Sequence, residues 1–471
     1  MAAAAAAAAA RVVVVGGGVG GLSTALALAR RGRQVVVLER DPVPESATVE
    51  AAFATERPGA PQVHQTHGFL AKVMVLMRER FPDLLDALSG AGCSTMSGTA
   101  ALGEAQPGDE DLAILLVRRS TFEWILRRAV ADEPGVELRT TAPVRGILRA
   151  SNGKGVPTVT GVVLGDGTEL AADIVVAATG RRGDVPAWAA EIGVSFPETI
   201  RESGLMYLTR WYRLDESMAT PPAPKLGGDL GYLKFLIVPT DGGMLSATLA
   251  IGSGDRELRR ILSDPDTFDH ACRNLPGPDE WFGGLDLEAI GGVRPMGGLL
   301  NRIRKFTDDA GAPSLLNFHA VGDSHTCTNP LYGRGCSLGM LQGLLLADAL
   351  DAHDDRREVA AAYEGECRRQ VEPWYHHAVE LDRVGADPVA EDSPDFVMQG
   401  RFRALMEAGQ TDPIIGRGMA RLWNLLTLPA ELNADPRFAA RAAAIMGDPA
   451  NYPTPERPGP AREVLLGALA A

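Results

Sequence analysis

The sequence predicts an α/β protein: a doubly wound, Rossmann-like domain with an α+β insert, a mixed β-sheet region, and C-terminal helices. Three observations predict this. A β-branched run, Val12 to Val15, ends at the spaced glycines Gly16, Gly18 and Gly21. Between about 200 and 300, short apolar and aromatic segments alternate with Gly, Pro and Asp. From Leu315 the strand–helix alternation returns, with Gly322-Asp323 at a strand end and Gly335 opening an apolar helix.

The elements follow from local pattern. Val12 to Val15 reads as a buried parallel strand, because such strands are apolar on both faces. Gly20 to Arg31 reads as a helix with small residues on its packing side, and Val35 to Leu38 as the second strand of a βαβ unit. Gly59 to Ala91 begins as loop and becomes amphipathic helix. Thr121 to Ala131 is a helix with Phe122, Ile125, Leu126 and Val130 on one face. Val136 to Leu148 and Val159 to Leu164 read as strands. Gly165-Asp166-Gly167 turns the second into a hairpin with Glu169-Leu170, and Asp173 to Ala178 is another buried strand. Leu205 to Leu214, Tyr232 to Val238 and Met244 to Ile251 read as strands of an antiparallel sheet. Leu315 to Val321 and a helix from about Gly335 to Leu350 restore the doubly wound pattern. Past about 355 the chain is helical, with breaks near Pro388, Pro413 and Pro429. There is no internal repeat of useful period.

The 471 residues suit two or three domains, and a 45% hydrophobic fraction is ample for a core. A net charge of −14 argues against nucleic acid and against anionic membranes as partners. The five cysteines form no CxxC pair, so neither a disulfide framework nor a metal site is expected, and a reducing cytoplasm is. Met1 and the nine alanines after it lack a charged n-region and a cleavage pattern, so they do not read as a signal peptide. No apolar run is long enough for a transmembrane segment.

Each glycine has a mechanical role. Gly16 allows the tight turn out of the strand, Gly18 lets backbone approach a pyrophosphate, and Gly21 permits helix-on-sheet packing. The helix that begins at Gly20 then offers free N–H groups to phosphate. Glu39 ends the second strand, where a carboxylate can bind ribose hydroxyls. Its neighbour Arg40 leaves NADP open, so this half of the signature does not separate FAD from NAD. The distant half does. Asp323 at the carboxyl edge of the sheet can accept hydrogen bonds from a ribityl chain. The helix after Gly333 and Gly335 can direct N–H groups at a flavin's pyrimidine carbonyls and stabilise negative charge there.

With these residues in place, the chain resembles the FAD-dependent monooxygenases of the aromatic-hydroxylase and squalene-epoxidase type. The segments that carry the resemblance are Gly16 to Gly21 with Glu39, Pro61-Gln62 through His67, Arg119-Ser120-Thr121-Phe122-Glu123-Trp124, and Gly322-Asp323 with Asn329-Pro330 and Tyr332-Gly333-Arg334-Gly335. Asp173 to Arg181 resembles a middle motif of one branch. The match spans about residues 11–350, closest to bacterial natural-product members such as polyether-type epoxidases. It departs at Thr179-Gly180, where many aromatic hydroxylases have Asp-Gly, and at Ser324-His325, so His325 inherits no role.

The resemblance implies a residue-by-residue FAD site: Gly16, Gly18, Val19, Gly20, Gly21, Glu39, Arg40, Arg119, Val144, Gly322, Asp323, Pro330, Gly335, Cys336 and Ser337. It implies domains at 11–195 (FAD-binding, first part), 196–305 (substrate-binding sheet), 306–352 (FAD-binding, returning part) and 353–471 (C-terminal helices), after a low-complexity tail at 1–10. It implies a reduced FAD that reacts with O2 to a C4a-hydroperoxide, with no dedicated catalytic side chain. Electrons come from NAD(P)H directly or through a separate flavin reductase, since no second GxGxxG follows a strand.

Candidate flavin or substrate contacts are His67, Tyr207, Trp211 and Phe235. With Met206, Tyr212, Met244 and Leu249 they suggest an apolar pocket for a polyene- or polyketide-like substrate, epoxidised or hydroxylated. His376-His377 reads as part of a surface helix without ligand partners, so no metal is expected. Two rival activities share these features. A flavin-dependent halogenase needs a lysine near a tunnel, which Lys72 could supply, but its usual Trp-x-Trp pair is absent. An FAD-dependent reductase or dehydrogenase is the other. A flavoprotein that only binds or senses is the alternative outside enzymes.

Overall fold

The computed structural model describes residues 10–99, 102–150, 155–214, 225–283, 285, 287–385 and 393–470. The polyalanine tail up to residue 9 and the expected break at Pro388 lie outside the described residues. A five-stranded parallel sheet runs in the order Phe318–Ala320, Ile174–Ala177, Arg11–Val15, Gln34–Leu38, Val136–Arg139. Val12 and Val14 pack into the core on one side of this sheet, Val13 and Val15 into the core on the other. Burial on both faces is why the run contains no polar residue.

The central strand turns at Gly16, whose φ is +114°. A β-carbon there would stand 2.2 Å from the Ala178 carbonyl oxygen, so both the turn and the close approach require glycine. The helix Val19–Ala29 then packs against Gly335–Ala352 from the far end of the chain. Small residues make this possible. Gly339 faces Gly20 and Gly322, and Gly343 faces Thr24, so the two backbones approach where any larger side chain would hold them apart.

The second sheet is antiparallel throughout rather than mixed. Its order is Gly227–Asp229, Leu233–Thr240, Met244–Gly252, Leu205–Leu214, Leu287–Met296. One face packs on the short helices Arg256–Leu262, Pro265–Asn274 and Pro278–Phe282. Tyr207, Thr209 and Trp211 stand on the opposite face.

The structure corrects several element boundaries. The expected strand Val136 to Leu148 is two strands: Val136–Arg139 joins the parallel sheet, and Val144–Arg149 pairs antiparallel with Val159–Leu164. Thr141, at φ 55°, and Pro143 separate them. The strand expected at Leu315 to Val321 shrinks to Phe318–Ala320, because Asn317 adopts φ 60°. Gly59 to Ala91 contains two helices, Ala71–Arg80 and Pro82–Gly90, because Pro82 cannot continue the first. Pro413 and Pro429 open helices at the first helical position, where a missing N–H costs nothing. Among the described residues no helix is long and apolar enough to cross a membrane.

Candidate active site

A single cavity of about 1070 Å³ joins the carboxyl edge of the parallel sheet to the antiparallel sheet and the C-terminal helices. Gly16, Gly18, Val19 and Gly20 line its first end. Gly18 has nothing nearer than the Arg119 guanidinium, 3.9 Å from where a β-carbon would stand, so the space beside its backbone is cavity. Glu39, Arg40 and Val144 line the same end. Gly322, Asp323, Pro330, Gly335 and Cys336 complete the wall from the far half of the chain. Both helices that start here, at Val19 and at Gly335, lack a side-chain cap. Their first-turn N–H groups are thus available to a ligand.

Three expected residues stand elsewhere. Gly21 is outside the lining, packed so closely that its β-carbon would sit 1.9 Å from the Gly16 carbonyl oxygen. Ser337, the third residue of the helix that starts at Gly335, is buried with its hydroxyl without a protein partner, and it too is outside the lining. Trp211 is the clearest correction. Its indole N–H donates to the His64 carbonyl at 2.7 Å and its ring packs edge-on against Phe53, away from the cavity. Tyr207 lines the chamber; Phe235 also reaches its lining, although it is paired with Leu249 and packs with Met206, Tyr212 and Leu249 into the core on the other face of the sheet. Met244 is buried outside the lining.

The electrostatics are set by a buried cluster. Glu39 Oε2 accepts from the Gly17 N–H and from Arg57, each at 2.9 Å. The same guanidinium reaches Asp41 at 3.0 Å and Glu123 at 3.1 Å. Glu123 in turn holds Arg119 at 2.7 Å, and the two arginines keep its carboxyl below the usual range despite burial. Arg119 also donates to His67 Nε2 at 3.1 Å. That leaves His67 Nδ1 to donate to the Gln65 carbonyl at 2.9 Å, which fixes the tautomer. Burial and the Arg119 charge depress His67 to about 3, so the ring is neutral. Burial raises Asp323 above the ordinary carboxylate value. Burial also raises the Cys336 and Cys327 thiols, which disfavours a reactive thiolate at either.

Several lining or supporting residues carried no signal in the sequence. Arg57 sits in a loop, and only folding brings its three carboxylates together. Arg127 donates to the Gly17 carbonyl at 2.7 Å. Gln65 links the first half of the chain to the second sheet by accepting from Thr209 at 2.6 Å. Leu236 and Val238 alternate along one strand face, a period-two pattern the sequence did carry. Phe402, Met406, Met419 and Trp423 bring the C-terminal helices into the wall. His377, expected at the surface, is half-buried and meets Arg334 at 2.9 Å. Burial presses that arginine down to about 10.

An uncapped pair of helix starts, a glycine turn with open space beside it and a carboxylate at each end suit a flavin dinucleotide. Residues 11–120 match the FAD dependent oxidoreductase family. Protein Rv3254 of Mycobacterium tuberculosis (strain ATCC 25618 / H37Rv) is 24% identical over 448 residues, covering 87% of this chain and 88% of the relative. The crystal structure of p-nitrophenol 4-monooxygenase PnpA from Pseudomonas putida DLL-E4 superposes with a TM-score of 0.61 at 20% identity, over 89% of this chain and 98% of that one. The flavin-dependent brominase Bmp2 gives 0.60 at 15% identity, over 93% and 98%. The fold is that of the FAD-dependent monooxygenases and of the halogenases that share it.

Proposed function

We propose that this protein is an FAD-dependent monooxygenase that epoxidises or hydroxylates a large apolar, polyene- or polyketide-like molecule. One observation carries the reading. The cavity is continuous from the glycine turn and Asp323 to an apolar chamber walled by Leu236, Val238, Phe402 and Met406. At about 1070 Å³ it lies at the upper end of ligand sites, with room for a cofactor and a second molecule side by side.

FAD, when bound, supplies electron transfer to O2 and delivery of one oxygen atom. The protein binds, orients and excludes water. Glu39 would hold the adenosine ribose and Asp323 the ribityl hydroxyls. The helix starts at Val19 and Gly335 would meet the diphosphate and the pyrimidine edge of the ring. Arg119, fixed by Glu123 and His67, places a positive charge beside Gly18 and the start of the Gly335 helix, where it would face a bound cofactor. The second sheet and the C-terminal helices wall the chamber and limit the access of water to it. Electrons arrive from NAD(P)H or from a separate reductase.

The test is to load the protein with FAD, reduce it without oxygen, and pulse with 18O2 in the presence of candidate polyenes. A product heavier by one 18O atom supports the reading. Return of all reducing equivalents as hydrogen peroxide with every substrate sinks it. A halogenase is favoured by a single feature: Lys234 lines the chamber, paired with Asp229 at 2.8 Å. Lys72 does not line it. Bromide in the same assay separates the two, since a halogenase yields brominated product.

A further inference from the structure

The turn after the first strand holds three glycines in a row, Gly16 to Gly18, and each loses more backbone freedom on ordering than any other residue. Its peptide planes are held by separate bonds. The Gly16 N–H donates to the Leu38 carbonyl at 2.8 Å. The Gly17 N–H donates to Glu39 Oε2 at 2.9 Å. The Gly18 carbonyl accepts the Leu22 N–H at 2.9 Å, which opens the helix Val19–Ala29. The plane between Gly17 and Gly18 remains. Among the described residues, it is held only by Arg127, whose Nη2 donates to the Gly17 carbonyl at 2.7 Å.

Gly17 and Gly18 line the cavity, whereas Arg127 stands outside the lining. The Gly17 carbonyl is thereby turned away from the cavity. In a planar trans peptide the N–H of the next residue points the opposite way. The Gly18 N–H is therefore turned toward the open space beside Gly18. A flip of this plane would reverse both groups. It would carry Gly18 from φ −88° to about +90°, a region that glycine enters freely. The flipped turn would meet an anionic diphosphate with a carbonyl oxygen in place of a donor. Arg127 prevents this from an unfavourable position. It shares a face of the helix Arg119–Asp132 with Arg119 and Glu123. Burial and the charge of Arg57 hold its guanidinium below the ordinary arginine range. Its Nη1 is buried without a hydrogen-bond partner. An apolar side chain of similar length would avoid both penalties.

We propose that Arg127 is a positioning residue: it locks the Gly17–Gly18 peptide so that the turn presents the Gly18 N–H, rather than the Gly17 carbonyl, to the ribose–diphosphate part of a bound dinucleotide. The inference rests on the reading above only for the identity of that dinucleotide, and binding rather than turnover tests it. FAD is titrated into the apoprotein and followed by flavin fluorescence, and the 31P spectrum of the complex is recorded at saturating FAD. Arg127→Met should weaken FAD roughly tenfold, on the scale of one hydrogen bond to a charged group, and should move the diphosphate resonances. Arg127→Lys keeps a cation without the fixed fork, so both effects should fall in between. Arg128→Met removes the neighbouring charge from the exposed side of the same helix and should change neither. Unchanged FAD affinity in Arg127→Met overturns the proposal. A merely structural role would lower the affinity and the melting temperature of the apoprotein yet leave the resonances of the saturated complex in place, and that outcome overturns it too. Should Arg127→Met not fold, Arg127→Lys decides: affinity and resonances identical to the wild type overturn the proposal. Failure of oxygen incorporation would overturn the monooxygenase reading and leave these results standing, whereas a wild type that takes up no FAD overturns both.

Discussion

Gly343→Ala probes the packing that brings the two glycine motifs to one cavity. A β-carbon at 343 would stand 2.4 Å from Thr24 Oγ1, 3.0 Å from Thr24 Cα and 3.2 Å from Thr24 Cβ. The Oγ1 atom is not free to swing aside without loss, since it donates to the Gly20 carbonyl at 2.6 Å. The α-carbon of Thr24 belongs to the backbone and no side-chain rotation moves it. Carbon atoms pack at roughly 3.5–4.0 Å, so the two helices must part by about half an ångström or more. Overpacking of this type costs about 1–3 kcal/mol. The better helix propensity of alanine offsets at most about 1 kcal/mol of it. The displacement also reaches the site, because Gly20, Gly322 and Gly339 touch along the same seam. Urea unfolding should show a net loss of about 1–2 kcal/mol, and a flavin fluorescence titration should show weaker FAD binding. Gly365→Ala is the control. It lies on the exposed side of the helix Arg356–Gln370, with no neighbour within 4 Å of its would-be β-carbon. There the same substitution should stabilise, by up to about 1 kcal/mol. A Gly343→Ala protein as stable as wild type with unchanged FAD affinity would refute the close-packing argument.

Arg57→Met should cost about 3–5 kcal/mol, because it leaves three buried carboxylates facing one another without their shared cation. Arg57→Lys should fall in between, since a point charge cannot serve three partners at once; denaturant melts that rank lysine with methionine would contradict this. Burial holds His319 down to about 4, below the roughly 6.5 of an unfolded chain. The unfolded state therefore takes up its proton first. The neutral ring's contribution is complete above about pH 6.5 and is lost as pH falls toward about 4, at up to about 1.4 kcal/mol per pH unit. His319→Phe keeps the edge-on contact with Tyr363 and should flatten the acid limb of a stability–pH curve. An unchanged limb would count against it. His67 should act in the same sense over a window reaching about pH 3.

The βαβ unit was legible because its demands are local. A strand buried on both faces needs an unbroken apolar run, and a turn at positive φ needs Gly16. Asp323 was legible for a similar reason, being fixed to a strand end by the glycine before it. The hairpin at Gly165-Asp166-Gly167 and the antiparallel texture after residue 200 were readable from turn residues and spacing. Single residues with positive φ, Thr141 and Asn317, misled the reading of strand lengths, because neither is glycine and nothing around them announces the bend. Trp211 was misplaced for a different reason. Period two puts it on the cavity side of the sheet with Tyr207, but the segment that carries Phe53 and His64 packs over its ring and separates it from the chamber.

The sequence by itself determined that the glycine turn after the first strand and the strand end at Gly322-Asp323 belong to one doubly wound sheet and form one cradle from both ends of the chain, since glycine positions and strand ends are written in short-range pattern. Only the tertiary structure decided what surrounds that cradle. Arg57 meets Glu39, Asp41 and Glu123, the C-terminal helices complete the chamber, and Asp382 on one of those helices accepts from Asn301, Asn329 and Tyr332. These contacts join residues far apart in the chain. Their energy comes from burial and from hydrogen bonds made across elements, and neither leaves a trace in local composition or periodicity.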